Sequence, residues 1–345
     1  MKILIISNMY PSREKSFAGI FVKNQYEAIR DIMVNDEIDI FYMRRRFTSK
    51  LGSALKYISA VFGFVKFLFK RYDIIHLHYL YPLIYLANFY KILYPNTKLV
   101  VTYHGSDVTK KINKKNIKSV RKLLKKVDYH IPVGNALAKI LETKTKTKAD
   151  KILPVGVNDK VFYFENVDKV YDFIYVGSFI HRKGVDLILD IIPELEGSIT
   201  ICFVGQGDYI DLVRELGIKY KNIEIYEDLK QDEIQKLIIR SKFLLLPTRN
   251  EGFPTSTIES MYCGVPVLVS DIPQTKEQVE EGENGFIIPV DDRGALLNKV
   301  RELSKIDEFQ YKKMVQKTLT YYREISLSNV CKELSIIYQQ LIKNV

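Results

Sequence analysis

The chain has 345 residues and 47% apolar content, enough for two core-bearing domains. Its net charge of +11 is uneven: residues 1–151 hold 29 Lys and Arg against 11 Asp and Glu, and residues 152–345 hold 23 against 30. No apolar run approaches the roughly 20 residues that span a bilayer, no Cys/His cluster has zinc spacing, and Cys202, Cys263 and Cys331 are too scattered for a disulfide framework.

These features predict a reduced, cytoplasmic chain without a signal peptide, since Met1-Lys2 leads straight into an apolar strand. The basic first half is expected to meet an anionic surface.

A first strand is predicted at 2–6, followed by a loop over 7–21. Gly19 in that loop lets backbone amides approach a ligand closely. The loop is not a G-x-G-x-x-G fingerprint, which argues against an ordinary dinucleotide-binding domain. A second strand at 37–42 ends in Arg44-Arg45-Arg46. Residues 50–71 then alternate Lys56, Lys66 and Lys70 with Tyr57, Ile58, Val61, Phe62, Phe64, Phe67 and Phe69. This amphipathic pattern fits interfacial membrane binding or a helix covering the sheet with snorkelling lysines.

His76 and His78 share one face of a strand at 74–78. Without a third ligand they are expected to be a histidine pair near the strand end. His104-Gly105-Ser106-Asp107 sits at the carboxyl end of a strand at 99–103, where chemistry collects in parallel sheets. Residues 110–126 carry nine Lys or Arg. No aromatic residue interleaves them as a nucleic-acid stacking platform would need, so a solvated helix face is expected.

The second half repeats the alternation. After a strand at 173–176, the loop from Gly177 to Gly184 places Arg182 and Lys183 where two cations could clamp a diphosphate at a helix start. Gly205-Gln206-Gly207-Asp208 follows a strand at 200–204, and Glu227-Asp228-Leu229 follows one at 223–226. A buried strand at 243–246 leads through Pro247 to Pro254 into a helix whose first residues, Thr255-Ser256-Thr257, suit N-capping. Gly264 suits its left-handed end. Glu251 on the loop and Glu259 one turn into the helix could both face the crevice ahead of it. Free amides for phosphate and two acceptors for hydroxyls suit a sugar nucleotide. Helices are predicted at 291–304 and, with a stripe of Val330, Leu334, Ile337 and Leu341, at 329–342.

E-G-F-P-x-x-x-x-E at 251–259, M-x-C-G-V-P-V at 261–267 and E-x-G-x-N-G-F-I-I-P at 280–289 together resemble the family-4 (group 1) glycosyltransferases. The resemblance extends over most of the chain. It implies the α/β GT-B fold, two Rossmann-like domains facing each other across a cleft. The family's P-x-G-V-[DN] connector matches 154–158 and puts the boundary near 155. Residues 1–155 then form the acceptor-side domain, joined by a C-terminal helix at about 325–345, and 156–324 form the donor domain.

The resemblance also implies residue roles. Gly19 would touch the donor diphosphate, His104 would lie beside the donor sugar, and Asp107 would orient its loop or meet the acceptor. Gly205, Gly207 and Leu229 would border the nucleotide, and Gly252, Phe253, Pro254, Thr255 and Ser256 would carry the donor at the helix start. Glu251 would hold sugar hydroxyls, Glu259 the ribose, and Arg182 and Lys183 the diphosphate charge. Ser178 departs from the family's frequent arginine, so one phosphate contact rests on Arg182 instead.

The implied reaction is retaining transfer from a nucleoside diphosphate sugar, with no cofactor, no metal and no D-x-D motif to bind one. The acceptor expected is a lipid-linked glycan of cell-surface polysaccharide synthesis. The enzyme would lie peripherally on the inner face of an anionic membrane, with no nucleic-acid partner. A catalytically inactive nucleotide-sugar binder and a soluble-acceptor sugar synthase are the alternatives.

Overall fold

The computed structural model describes residues 1–12, 19–43, 50–195 and 197–343. Part of the loop holding Gly19, and Arg44 to Arg46, lie outside the described residues. Two runs of strand and helix build two separate sheets, in both of which the strands are parallel. Met1–Gly156 with Leu327–Val345 make one unit, and Val157–Ser326 the other.

The first unit runs β1 (Lys2–Ser7), α1 (Ile20–Ile32), β2 (Glu37–Tyr42), α2 (Lys50–Leu68), β3 (Ile74–His78), α3 (Ile84–Leu93), β4 (Lys98–Tyr103), α4 (Ser106–Thr109), α5 (Ile117–Leu124), β5 (Tyr129–Pro132) and α6 (Asn135–Thr145). Its strand order is β2-β1-β3-β4-β5. Ile3, Leu4, Ile5 and Ile6 are all buried, as a strand covered on both faces requires.

Helix α2 divides its apolar residues between two stripes. Ala60, Phe64 and Phe67 are buried, and rings of Phe41, Phe64, Phe67, Tyr72 and Tyr90 pack at 5.2–6.5 Å. Phe62 and Phe69 are 74% and 86% exposed. The apolar arc is wider than the neighbouring elements cover, so the helix packs on the unit and leaves a second apolar stripe outside.

The second unit continues with β6 (Tyr171–Val176), α7 (Val185–Ile191), β7 (Ile201–Val204), α8 (Ile210–Lys219), β8 (Ile223–Tyr226), α9 (Gln231–Ile239) and β9 (Ser241–Leu246). It ends with α10 (Thr255–Tyr262), β10 (Val267–Ser270), α11 (Pro273–Lys276), β11 (Gly285–Ile288), α12 (Arg293–Ser304) and α13 (Glu308–Tyr322). The order β11-β10-β9-β6-β7-β8 reverses direction between β6 and β9. Crevices at the carboxyl ends of strands flanking such a reversal are where open parallel sheets bind ligands.

The start of α10 differs from the expectation. Pro254, with φ −69° and ψ 109°, occupies the capping position, and no side chain caps the helix. Ser256 and Thr257 are buried. An N-cap residue must hold extended backbone while its side chain reaches an amide two or three residues on. Proline takes that position here, so the hydroxyls fall inside the helix and its first amides have no side-chain acceptor. At the other end Gly264 follows Cys263 with φ +74°.

The chain then returns to the first unit as α14 (Leu327–Lys343), which packs on α1. Val330, Leu334 and Ile337 are buried as the stripe predicts, joined by Cys331 and Tyr338, while Leu341 is only partly buried.

Candidate functional site

The β6–α7 and β9–α10 loops meet at the reversal of the second sheet, and they bring Arg182, Lys183 and Glu251 together. Glu251 is 7% exposed. Its carboxylate lies 2.5 Å from Lys183 Nζ and 3.4 Å from Arg182 Nη1. Thr248 Oγ1 stands 3.0 Å from both Glu251 Oε1 and the Arg182 carbonyl, donating its single proton to one of them at a time. Arg182 also donates to the Asn250 carbonyl at 2.7 Å. A buried carboxylate held by two cations and a hydroxyl has its charge compensated within the protein.

Two residues that sequence reasoning missed lock these loops. Arg249 makes a bidentate pair with Asp186 at 2.7 and 2.8 Å, and its Nε donates to Asp291 at 2.5 Å. Gly184, with φ +73°, lies so close to the other loop that a Cβ there would stand 1.8 Å from the Pro247 carbonyl oxygen. The only sequence signal was Arg249 two residues before Glu251, with an acid, Asp186, three after Lys183.

Glu259 is half-buried, and its carboxyl oxygens accept no hydrogen bond among the described residues. Burial pushes its pKa up to about 7, against the downward pull of Lys183. Phe253 packs partly buried on the second unit's core, Pro254 and Ser256 are buried, and Gly252 and Thr255 are half-buried. Gly205 and Gly207 press on the backbone of Gly177 and Phe179. Phe179 N donates to Gln206 O at 2.7 Å, which couples this turn to the β6–α7 loop. Leu229 is a partly buried member of the same core.

In the first unit, the ends of β3 and β4 converge. His78 Nδ1 lies 3.1 Å from His104 Nε2. His76 is occupied on both nitrogens, by Tyr338 Oη at 2.5 Å and Thr102 Oγ1 at 2.7 Å, so it has no lone pair left for a metal. Burial lowers the pKa of all three imidazoles, that of His78 to about 3. Asp107 is buried and uses both oxygens within the protein, accepting from Leu80 N at 3.1 Å, Gly105 N at 2.9 Å and His104 N at 3.2 Å. It therefore orients the His104 loop. Gly19, with φ +76°, approaches Met9, whose carbonyl a Cβ would meet at 2.6 Å. That contact requires glycine whether or not a ligand is near.

A family model described as glycosyl transferases group 1 matches residues 158–319, and one described as glycosyltransferase family 4 matches residues 23–159. Among curated relatives is the N-acetyl-alpha-D-glucosaminyl L-malate synthase of Bacillus anthracis, 24% identical over 297 residues, 79% of this chain and 76% of that protein. Another is a Campylobacter jejuni alpha-1,4-N-acetyl-D-galactosaminyltransferase named for a diNAcBac-PP-undecaprenol-linked substrate, 26% identical over 69% of this chain and 67% of that one.

Solved structures with the same fold include sucrose-phosphate synthase of Thermosynechococcus elongatus, with a TM-score of 0.79 at 17% identity over 100% of both chains. Anabaena HepE in complex with UDP aligns with a TM-score of 0.76 at 14% identity, over 99% of this chain and 100% of that one.

Proposed function

The chain belongs to the family-4 (group 1) glycosyltransferases and has their GT-B fold, and from that premise we propose a retaining transfer of sugar from a nucleoside diphosphate donor to a hydroxyl on a lipid-linked glycan. The observation that carries the donor side is the buried Glu251, set between Arg182 and Lys183 at the sheet reversal. The diphosphate takes the positive field of Arg182, Lys183 and the uncapped start of α10. Glu251 then accepts from sugar hydroxyls and Glu259 from the ribose.

In the reaction the bond from the anomeric carbon to the diphosphate oxygen breaks, and a bond to the acceptor oxygen forms on the same face. The acceptor's proton passes to the leaving phosphate. Arg182 and Lys183 stabilise the charge developing there, in the role a metal would otherwise fill.

Two kinds of observation support a lipid-linked acceptor. Relatives include proteins named for an undecaprenol-linked glycan, capsular polysaccharide biosynthesis and lipopolysaccharide galactosyl transfer. The first unit also carries an apolar face suited to an anionic bilayer. Tyr57, Ile58, Val61 and Phe62 on α2 and Phe69 just after it are exposed, as are Tyr85, Phe89, Ile92 and Leu93 on α3, which packs beside α2. Next to α3, α5 exposes Lys118, Arg121 and Lys122. Apolar side chains for the acyl boundary beside basic ones for headgroups are the composition of an interfacial surface. No helix among the described residues is long and apolar enough to cross a membrane.

The test is a thermal-shift panel of UDP-, GDP- and ADP-sugars, followed by calorimetry and transfer assays on two variants. A donor at 100 times its dissociation constant adds about 2.7 kcal/mol. Glu251→Gln should lose most turnover and still bind the free nucleoside diphosphate, whereas Glu259→Ala should weaken nucleotide binding. Equal loss of nucleotide affinity in both would sink the division of roles. Transfer to L-malate or another soluble hydroxyl, with none to a polyprenyl-linked glycan, would replace the acceptor.

A further inference from the structure

His104 shares its Nε2 with a second imidazole, and the surroundings decide which ring gives the proton. His78 Nδ1 and His104 Nε2 are 3.1 Å apart, so one must donate and the other accept. The other nitrogen of His78, Nε2, is enclosed and has no hydrogen-bond partner. If His104 donated, His78 would have to carry its own proton on that enclosed Nε2, with no acceptor for it. If His78 donates from Nδ1, the enclosed atom presents only a lone pair. Buried N–H groups without acceptors are rarer than under-used acceptors.

His76 cannot relieve the alternative. Its ring lies 4.4 Å from that of His78, and both its nitrogens are already taken by Tyr338 and Thr102. We infer that His78 is a positioning residue: it donates from Nδ1 to His104 Nε2 and so holds neutral His104 in the form protonated at Nδ1. That nitrogen makes no hydrogen bond among the described residues. Rings of Tyr79 and Phe21 flank His104 at 4.4 and 4.9 Å and limit its rotation. Burial works in the same direction by disfavouring an imidazolium at either ring.

The consequence deepens the proposed reaction and rests on its reading of His104 as a group that serves the transferred sugar. A ring whose Nε2 lone pair is already engaged and whose other nitrogen carries the hydrogen donates a hydrogen bond. It can hold a sugar oxygen through that bond, and it cannot take the acceptor's proton. The proton is left to the departing phosphate.

The tautomer can be read without any substrate. The full chain, labelled with [15N]histidine, gives long-range 1H–15N correlations that separate Nδ1–H from Nε2–H, and its five histidines keep the spectrum simple. Assignment uses the signals lost in His104→Asn and in His78→Met. Both rings should show protonated Nδ1 and bare Nε2, the less abundant form of free histidine in water. His78→Met should move His104 toward Nε2–H and lower kcat at least about tenfold with little change in donor KM. His78→Gln, whose amide still donates, should keep the Nδ1–H form and most of kcat.

Nε2–H or an imidazolium at His104 in the unmodified chain overturns the inference, and so does an unchanged tautomer in His78→Met. A chain that transfers no sugar would instead refute the proposed function, leaving the tautomer to be decided by the spectra alone.

Discussion

Glu259 predicts a pH-dependent stability whose sign is opposite to that of an ordinary paired carboxylate. Its pKa stands near 7 in place of 4.5, so between those values the folded chain holds a proton that the unfolded chain has released. Stability then falls as pH rises through that window, and the loss is complete above the folded value. At about 1.4 kcal/mol per pH unit, the gap amounts to ~3 kcal/mol. Glu259→Gln keeps the shape and removes the titration. The variant should therefore melt close to the unmodified chain near pH 5 and well above it near pH 8. At about 2–4 °C per kcal/mol for a unit of this size, the difference should reach ~6–12 °C. Differential scanning fluorimetry of ligand-free protein across that range measures it. A melting difference that stays constant with pH would refute the reasoning, because a packing change has no reason to titrate.

Three further outcomes follow from the same geometry. Gly184→Ala should cost more than about 2 kcal/mol, since its Cβ would meet the Pro247 carbonyl oxygen at 1.8 Å; an unchanged melting temperature would show that the two loops can part freely. Transfer should persist within about twofold in excess chelator, because side-chain cations and a helix start supply the field; loss of activity restored by magnesium or manganese would reassign the diphosphate site. Phe62, Phe69 and Phe89 changed together to Ser should reduce co-sedimentation with anionic liposomes and leave circular dichroism unchanged, whereas Phe64→Ser should disturb the fold. Recovery of the unmodified chain in the supernatant with both anionic and neutral vesicles would remove the membrane from the account.

Much of the second unit's site was legible because its chemistry is local in the chain. Glu251, Glu259 and the start of the helix that carries Glu259 lie within nine consecutive residues, and Arg182 with Lys183 sit together on the loop that follows β6. Their union across two loops depends on β9 lying beside β6, a pairing that local pattern does not encode. The same reason hid Arg249, whose partner Asp186 is 63 residues away. Hydroxyls before a helix read as caps, yet one proline shifted the boundary by a residue and turned them inward. On α2, periodicity identified an apolar arc, but Phe64 and Phe62 differ only in what packs above them. The pairing of His78 with His104 joins strand ends that meet only once β3 and β4 are in register.

The return of α14 to the first unit has a consequence for synthesis. Tyr338, which holds His76, comes 262 residues after it, and α14 supplies the cover over α1. On the ribosome the second unit can therefore finish before the first, whose sheet has been made but still lacks part of its core. During that interval Ile29, Val22 and neighbouring apolar groups wait for a helix that has not been translated, a period when nascent chains are prone to misassociate. A premature stop directly after residue 326 would leave the second unit whole. It would strand the first with the apolar surface that α14 covers.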